Sequence, residues 1–212
     1  MEEENSKEIR SIGGLGRPTL SLHESGRTIS GYAAVFGVPS VRLRDRATRR
    51  EIIERIMPGA ITEELIKRSD VKALYNHDKS KLLARSVNGE GTLSLSIDEK
   101  GLKYSFEAPN TQPGEEVAEL VRRGDLQGSS FCFTVSRGGY TEKYSAEDGA
   151  IIREVNRIDG LFDISIVCDP AYQSTSVSIR SEEDAEVPQE TEKKRFGKGD
   201  ELMSKAVEIL IQ

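Results

Sequence analysis

Three kinds of side chain in this sequence could together break an acyl bond. They are the adjacent Ser129 and Ser130 of GDLQGSSFCFTV (124–135), His77 at the end of VKALYNHD, and Asp163 within LFDISIVC. A serine hydroxyl attacks a carbonyl only when a base takes its proton, and an imidazole is the base best suited to that. A carboxylate beside the ring holds the tautomer and stabilises the imidazolium that forms. Gly124 and Gly128 break the chain on either side of Leu126, and the residues from 130 alternate as in a half-buried strand. One hydroxyl therefore stands where a strand begins. Ordinary turn chemistry also places serines there.

The chain has two histidines. His23 lies in the turn-like SLHESG and reads as a solvated surface residue. His77 ends the apolar run 71–75, so a strand would deliver its ring to a strand end beside Asn76 and Asp78. Asp163 interrupts an apolar run, and alternation puts Asp163, Ser165 and Val167 on one face and Phe162, Ile164, Ile166 and Cys168 on the other. A carboxylate in such a strand must be solvated or paired. A Ser/His/Asp set can be drawn from almost any sequence, and spacing does not bring these three together. A Cys132–His77 pair remains open as well, because Cys132 and Ser130 share a strand face; beside two aromatics, Cys132 also suits an inert buried thiol. Metal-assisted hydrolysis has less support: with two histidines and no ligand spacing, only carboxylates would be left to bind.

These residues need elements to carry them. The 212 residues, 36% of them hydrophobic, allow one core with tails. With 36 acidic against 30 basic residues the net charge is -6, which argues against a general polyanion binder. No run approaches the roughly 20 apolar residues of a membrane span, and the first residues lack the apolar core of a signal peptide, so a cytoplasmic chain is expected. The two cysteines, Cys132 and Cys168, read as free buried thiols rather than a disulfide framework. Residues 1–16 read as a flexible arm, 17–180 as the domain, 181–200 as a polar linker, and 201–212 as an amphipathic helix with Asp200 as its N-cap. Within the domain, hairpins are expected over 20–36 and 91–108, helices at AITEELIKRS and EEVAELVRRG, and strands at 71–75, 131–135, IIREVNRI and LFDISIVC. The pattern is mostly β with a few helices.

In order, MPGAI, ALYNHD, TLSLSIDEKGLKYSFEAPNT, LVRRGDLQGSSFCF and LFDISIVCDPAY closely resemble the prohead serine proteases of tailed bacteriophages, over about residues 28–178. The resemblance implies a closed, mostly antiparallel β-barrel of the herpesvirus maturation protease type. It implies a serine endopeptidase that cleaves scaffold, or the scaffold-like N-terminal region of the major capsid protein, inside the assembling prohead in the host bacterial cytoplasm, and often itself. Carried over position by position, the family's His falls on His77, the Ser before Phe in G-x-S-F on Ser130, and the acidic residue of Leu-x-acidic-aliphatic-Ser on Asp163; Ser129 takes the variable position. Family members often have Gly at the position of Cys132 and Glu at that of Asp163, and CDPAYQS does not reproduce the Arg-rich segment that serves the oxyanion in the herpesvirus relatives. The resemblance allows a homodimer, and it implies no cofactor, metal, specific nucleic acid or membrane. The linker at 181–200 would be a site of self-cleavage, with the terminal helix tethering the precursor to scaffold. The rival reading is a catalytically inert capsid-assembly or scaffold interaction module that keeps the protease-like barrel. A small-molecule esterase fits less well, since G-x-S-x-G stands between strand and helix and this serine enters a strand.

Overall fold

Alternating runs become the first paired strands. In the computed structural model, which describes residues 8–12, 19–21, 26–44, 50–168 and 179–180, β2 (Thr19–Ser21) pairs antiparallel with β3 (Thr28–Val35), and β9 (Leu93–Ile97) with β10 (Gly101–Glu107). Both hairpins are those expected from sequence. β10 also pairs with β3, and β15 (Ile179–Arg180) adds to β2, giving a five-stranded sheet ordered β15-β2-β3-β10-β9.

The sheet that carries the candidate residues has six strands. In order they are β1 (Glu8–Ile12), β11 (Gly128–Thr134), β14 (Gly160–Val167), β6 (Asp70–Tyr75), β7 (Asp78–Val87) and β8 (Glu90–Gly91). β11 lies against β3 and β7 against β9, so the two sheets pack on each other. A third sheet, β12-β13-β5-β4, is built from β12 (Tyr140–Ser145), β13 (Ala150–Val155), β5 (Glu51–Ile56) and β4 (Leu43–Arg44). It joins the five-stranded sheet through a parallel bridge between Phe36, just past the end of β3, and Ile56 of β5. Between its parallel strands the buried Glu54 faces Arg153 at 3.4 Å, and the guanidinium also stacks 4.0 Å from the Tyr140 ring. Strand pairing thus gives three sheets and no closed barrel among the described residues. Among the described residues the outer strands β1 and β8 each pair on one side only.

Both expected helices form. α1 (Glu63–Lys67) starts where Thr62 accepts the Leu65 N–H, and α2 (Gln112–Arg123) starts where Thr111 accepts the Gly114 N–H. α2 buries Val117, Ala118 and Val121 and stops at Gly124, whose φ of 79° suits a residue without Cβ. The Asp125 and Leu126 N–H groups return to the Leu120 carbonyl, and the chain then enters β11 at Gly128. Gly114 is required by proximity, since a Cβ there would sit 2.1 Å from the Pro109 carbonyl oxygen. No helix among the described residues is long and apolar enough to cross a membrane.

Three expectations change. Residues 8–12, read as part of a loose arm, form β1 beside β11; edge pairing uses backbone hydrogen bonds, which a five-residue segment provides without a sustained hydrophobic period. β11 is buried on both faces, not one, because one face meets the five-stranded sheet and the other carries the candidate site. Cys168 is exposed, one residue beyond the end of β14, while Cys132 is buried. The expected linker at 181–200 and helix at 201–212 lie outside the described residues, as does His23.

Phe131 and Phe133 stack with centroids 4.9 Å apart and are wholly buried in the core with Tyr104 and Phe106. Phe131→Ala is expected to lower unfolding stability by about 3–5 kcal/mol. In urea this appears as a lower midpoint. Tyr144→Ala, at a position 66% exposed, is expected to change stability by no more than about 0.5 kcal/mol.

Candidate active site

His77 owes its position to a turn. β6 and β7 form a hairpin in which Tyr75 pairs with Asp78, leaving Asn76 and His77 as the two central residues, with φ of 53° and 57°. Positive φ at both positions is the signature of the tight hairpin turn whose twist matches that of its strands. Asn tolerates this backbone readily and His more readily than most, but each left-handed non-glycine residue still costs about 1–3 kcal/mol unless its surroundings hold it. Here they do. The Asn76 N–H donates to the Ile166 carbonyl at 3.0 Å, its side-chain oxygen accepts the Cys168 N–H at 3.3 Å, and the His77 N–H donates to Ser165 Oγ at 3.2 Å. Just downstream, Asp78 accepts from the Ser80 N–H and hydroxyl, which hold its carboxyl below the usual range.

Ser130 and Asp163 come from the neighbouring strands. β11 and β14 run antiparallel with Ser130 opposite Ser165 and Cys132 opposite Asp163, while β14 runs parallel to β6 with Ser165 beside Leu74 and Ile166 beside Tyr75. Ser130, Cys132, Asp163 and Ser165 therefore share one face of the sheet. From the end of β6 the imidazole reaches back over this face. His77 Nδ1 lies 2.6 Å from Asp163 Oδ1, and His77 Nε2 lies 2.5 Å from Ser130 Oγ. The aspartate, one methylene shorter than the glutamate common in the resembling family, still makes its contact.

The proton positions follow from donor and acceptor capacity. An ionised carboxylate only accepts, so in the neutral ring Nδ1 carries the hydrogen and the Nε2 lone pair faces the Ser130 hydroxyl. That is the arrangement in which a serine proton can pass to imidazole as Oγ attacks a carbonyl. The ring and carboxylate are partly shielded, with 18% and 13% of their side chains exposed. Ser130 is buried.

The adjacent serine turns the other way. Ser129 Oγ hydrogen-bonds the Tyr104 hydroxyl at 2.8 Å in the core between the sheets, and burial pushes the Tyr104 phenol well above its ordinary value. Cys132 shares the face of Ser130, but it is Ser130 that meets Nε2. Sequence reasoning missed Ser165, which contacts both His77 and Asp163. Its place two residues after Asp163 in an alternating strand was the available signal. Among the described residues no cluster of three or more His, Cys, Asp and Glu could hold a metal ion.

The turn makes its own prediction. Asn76→Gly keeps the left-handed backbone and loses the acceptor for the Cys168 N–H, so it is expected to fold with the smaller loss of stability of the two. Asn76→Val, branched at Cβ and unable to accept the Cys168 N–H, is expected to lose about 1–3 kcal/mol. Thermal unfolding of the two variants beside wild type checks the order.

No curated protein sequence matches the chain. Among solved structures it is similar to the bacteriophage T4 capsid assembly protease, gp21, at 12% identity and a TM-score of 0.45, covering 76% of this chain and 97% of that one. Residues 18–190 match the family described as Caudovirus prohead serine protease. That match spans every position from the first hairpin through Asp163, and the chain belongs to this family of serine proteases.

Proposed function

We propose that the chain is the serine endopeptidase of phage prohead maturation, with Ser130 as nucleophile, His77 as general base and then acid, and Asp163 as the group that orients the ring. The observation that carries this reading is the unbroken run of hydrogen bonds from Asp163 through His77 to Ser130, drawn from three separate strands and turns.

The steps follow from the contacts. Ser130 Oγ attacks the scissile carbonyl while its proton passes to His77 Nε2, forming a tetrahedral oxyanion and an imidazolium that Asp163 stabilises through Nδ1. Collapse breaks the C–N bond, and the Nε2 proton leaves on the departing amine. Water then enters, gives a proton to Nε2, and its oxygen attacks the ester carbonyl; the proton returns to Ser130 as the new carboxyl group departs. The substrates are scaffold or the scaffold-like N-terminal region of the major capsid protein, cut inside the assembling prohead in the host cytoplasm. The chain also cuts itself in the polar stretch 181–200, because a charged sequence with almost no core-forming residues is readily accepted as an extended substrate. The covered Ser130 suits an enzyme made among its substrates and held silent until assembly opens it.

Intact-mass spectrometry tests this. Wild type, Ser129→Ala, Ser130→Ala and His77→Ala are incubated at high concentration alone and with the capsid and scaffold proteins. Wild type and Ser129→Ala are expected to lose a C-terminal piece and cut the added substrate. The other two are expected to be slower by a factor of at least ~1,000, the scale seen when one member of such a set is removed. If all four leave every substrate whole, the inert interaction module is the better reading.

A further inference from the structure

Ser165 sits beneath the ring it touches. β14 lies between β6, which delivers His77, and β11, which carries Ser130, so the imidazole bridges strands two positions apart, a span of about 10 Å. The residue under that bridge must be small, and alanine would satisfy the space. A serine adds a hydroxyl, which is 1% exposed and fully engaged. Its oxygen accepts the His77 N–H at 3.2 Å, donates its proton to Asp163 Oδ1 at 3.1 Å, and lies 3.2 Å from His77 Nδ1. One oxygen thus ties the backbone of a left-handed residue to the carboxylate that its own side chain must meet.

We propose that Ser165 is a positioning residue for hydrolysis: its hydroxyl couples the His77 turn to Asp163, so that ring and carboxylate hold one mutual geometry while Ser130 reacts. The inference rests on the assignment of His77 and Asp163 given above. Without the hydroxyl, Asp163 Oδ1 loses its second donor and the His77 N–H loses its acceptor. The ring then samples orientations in which Nε2 does not face Ser130. Binding of substrate is not touched, because Ser165 is shielded from it.

The test uses the full chain and two readouts. For peptide hydrolysis, Ser165→Ala is expected to lower kcat about 10-fold with KM within about two-fold, the loss matching one hydrogen bond to a charged group. Ser165→Cys, similar in size but a weaker donor, is expected between Ala and wild type. Independently of turnover, the proton on His77 Nδ1, shared with Asp163 at 2.6 Å, is expected to give a far-downfield proton NMR line that moves upfield or broadens in Ser165→Ala. The same line is read in the Ser130→Ala background, where no activity is needed. If kcat and the line match wild type in both variants, the inference fails, and it fails equally if melting temperature falls while kcat and the line hold. A wild type that cuts nothing but shows the hydroxyl-dependent line would sink the protease assignment and leave the coupling standing.

Discussion

The imidazole of His77 has to cross one strand to meet a serine, and much of the surrounding structure serves that reach. The hairpin turn gives His77 a left-handed backbone, which bends its side chain back over the sheet. A small residue at 165 lets the ring pass, and the register of β11 on β14 places Ser130 at the far end of the span. Asp163, two residues from Ser165 on the same face, meets the nitrogen that the serine does not use. A slip of one residue in either strand pair would turn these side chains to the opposite face, so the register is as much a part of the site as its three polar groups.

β11 resolves two demands at once. Phe131 and Phe133 anchor one of its faces in the core with Tyr104 and Ser129, and the other presents Ser130 and Cys132 to the ring and the carboxylate. A strand packed on both sides moves little, which favours a fixed distance between Oγ and Nε2. The same packing leaves Ser130 without surface. Rigid placement of Oγ and open access to it therefore make opposing demands on this strand.

Much of the fold was legible because its causes are local. Alternation over TLSLSIDEKGLKYSFEA is the direct imprint of a hairpin with one buried face, and Val117, Leu120, Val121 and Gly124 mark the stripe and stop of one helix, whose start at Thr111 came from the structure. β1 was missed because an edge strand needs backbone partners more than a pattern. The second burial of β11 was missed because alternation suggests at least one buried face without saying what covers the other. Closure into a barrel came from the resemblance, and the strands pair as three sheets among the described residues.

For the site, the sequence by itself determined which chemistry was on offer: two serines entering a strand, a histidine at a strand end, and an aspartate in an apolar run that must be solvated or paired. It also determined the family, through ordered motifs. The resemblance already singled out Ser130 over Ser129; only the tertiary structure decided that Ser130 and not Cys132 meets the ring, that Asp163 reaches despite its length, and that Ser165 joins them. These contacts link positions 53 and 86 residues apart. The physical reason is that periodicity records what each residue does with its near neighbours. A hydrogen bond across three strands depends on register and turn geometry, which exist only once the sheet has formed.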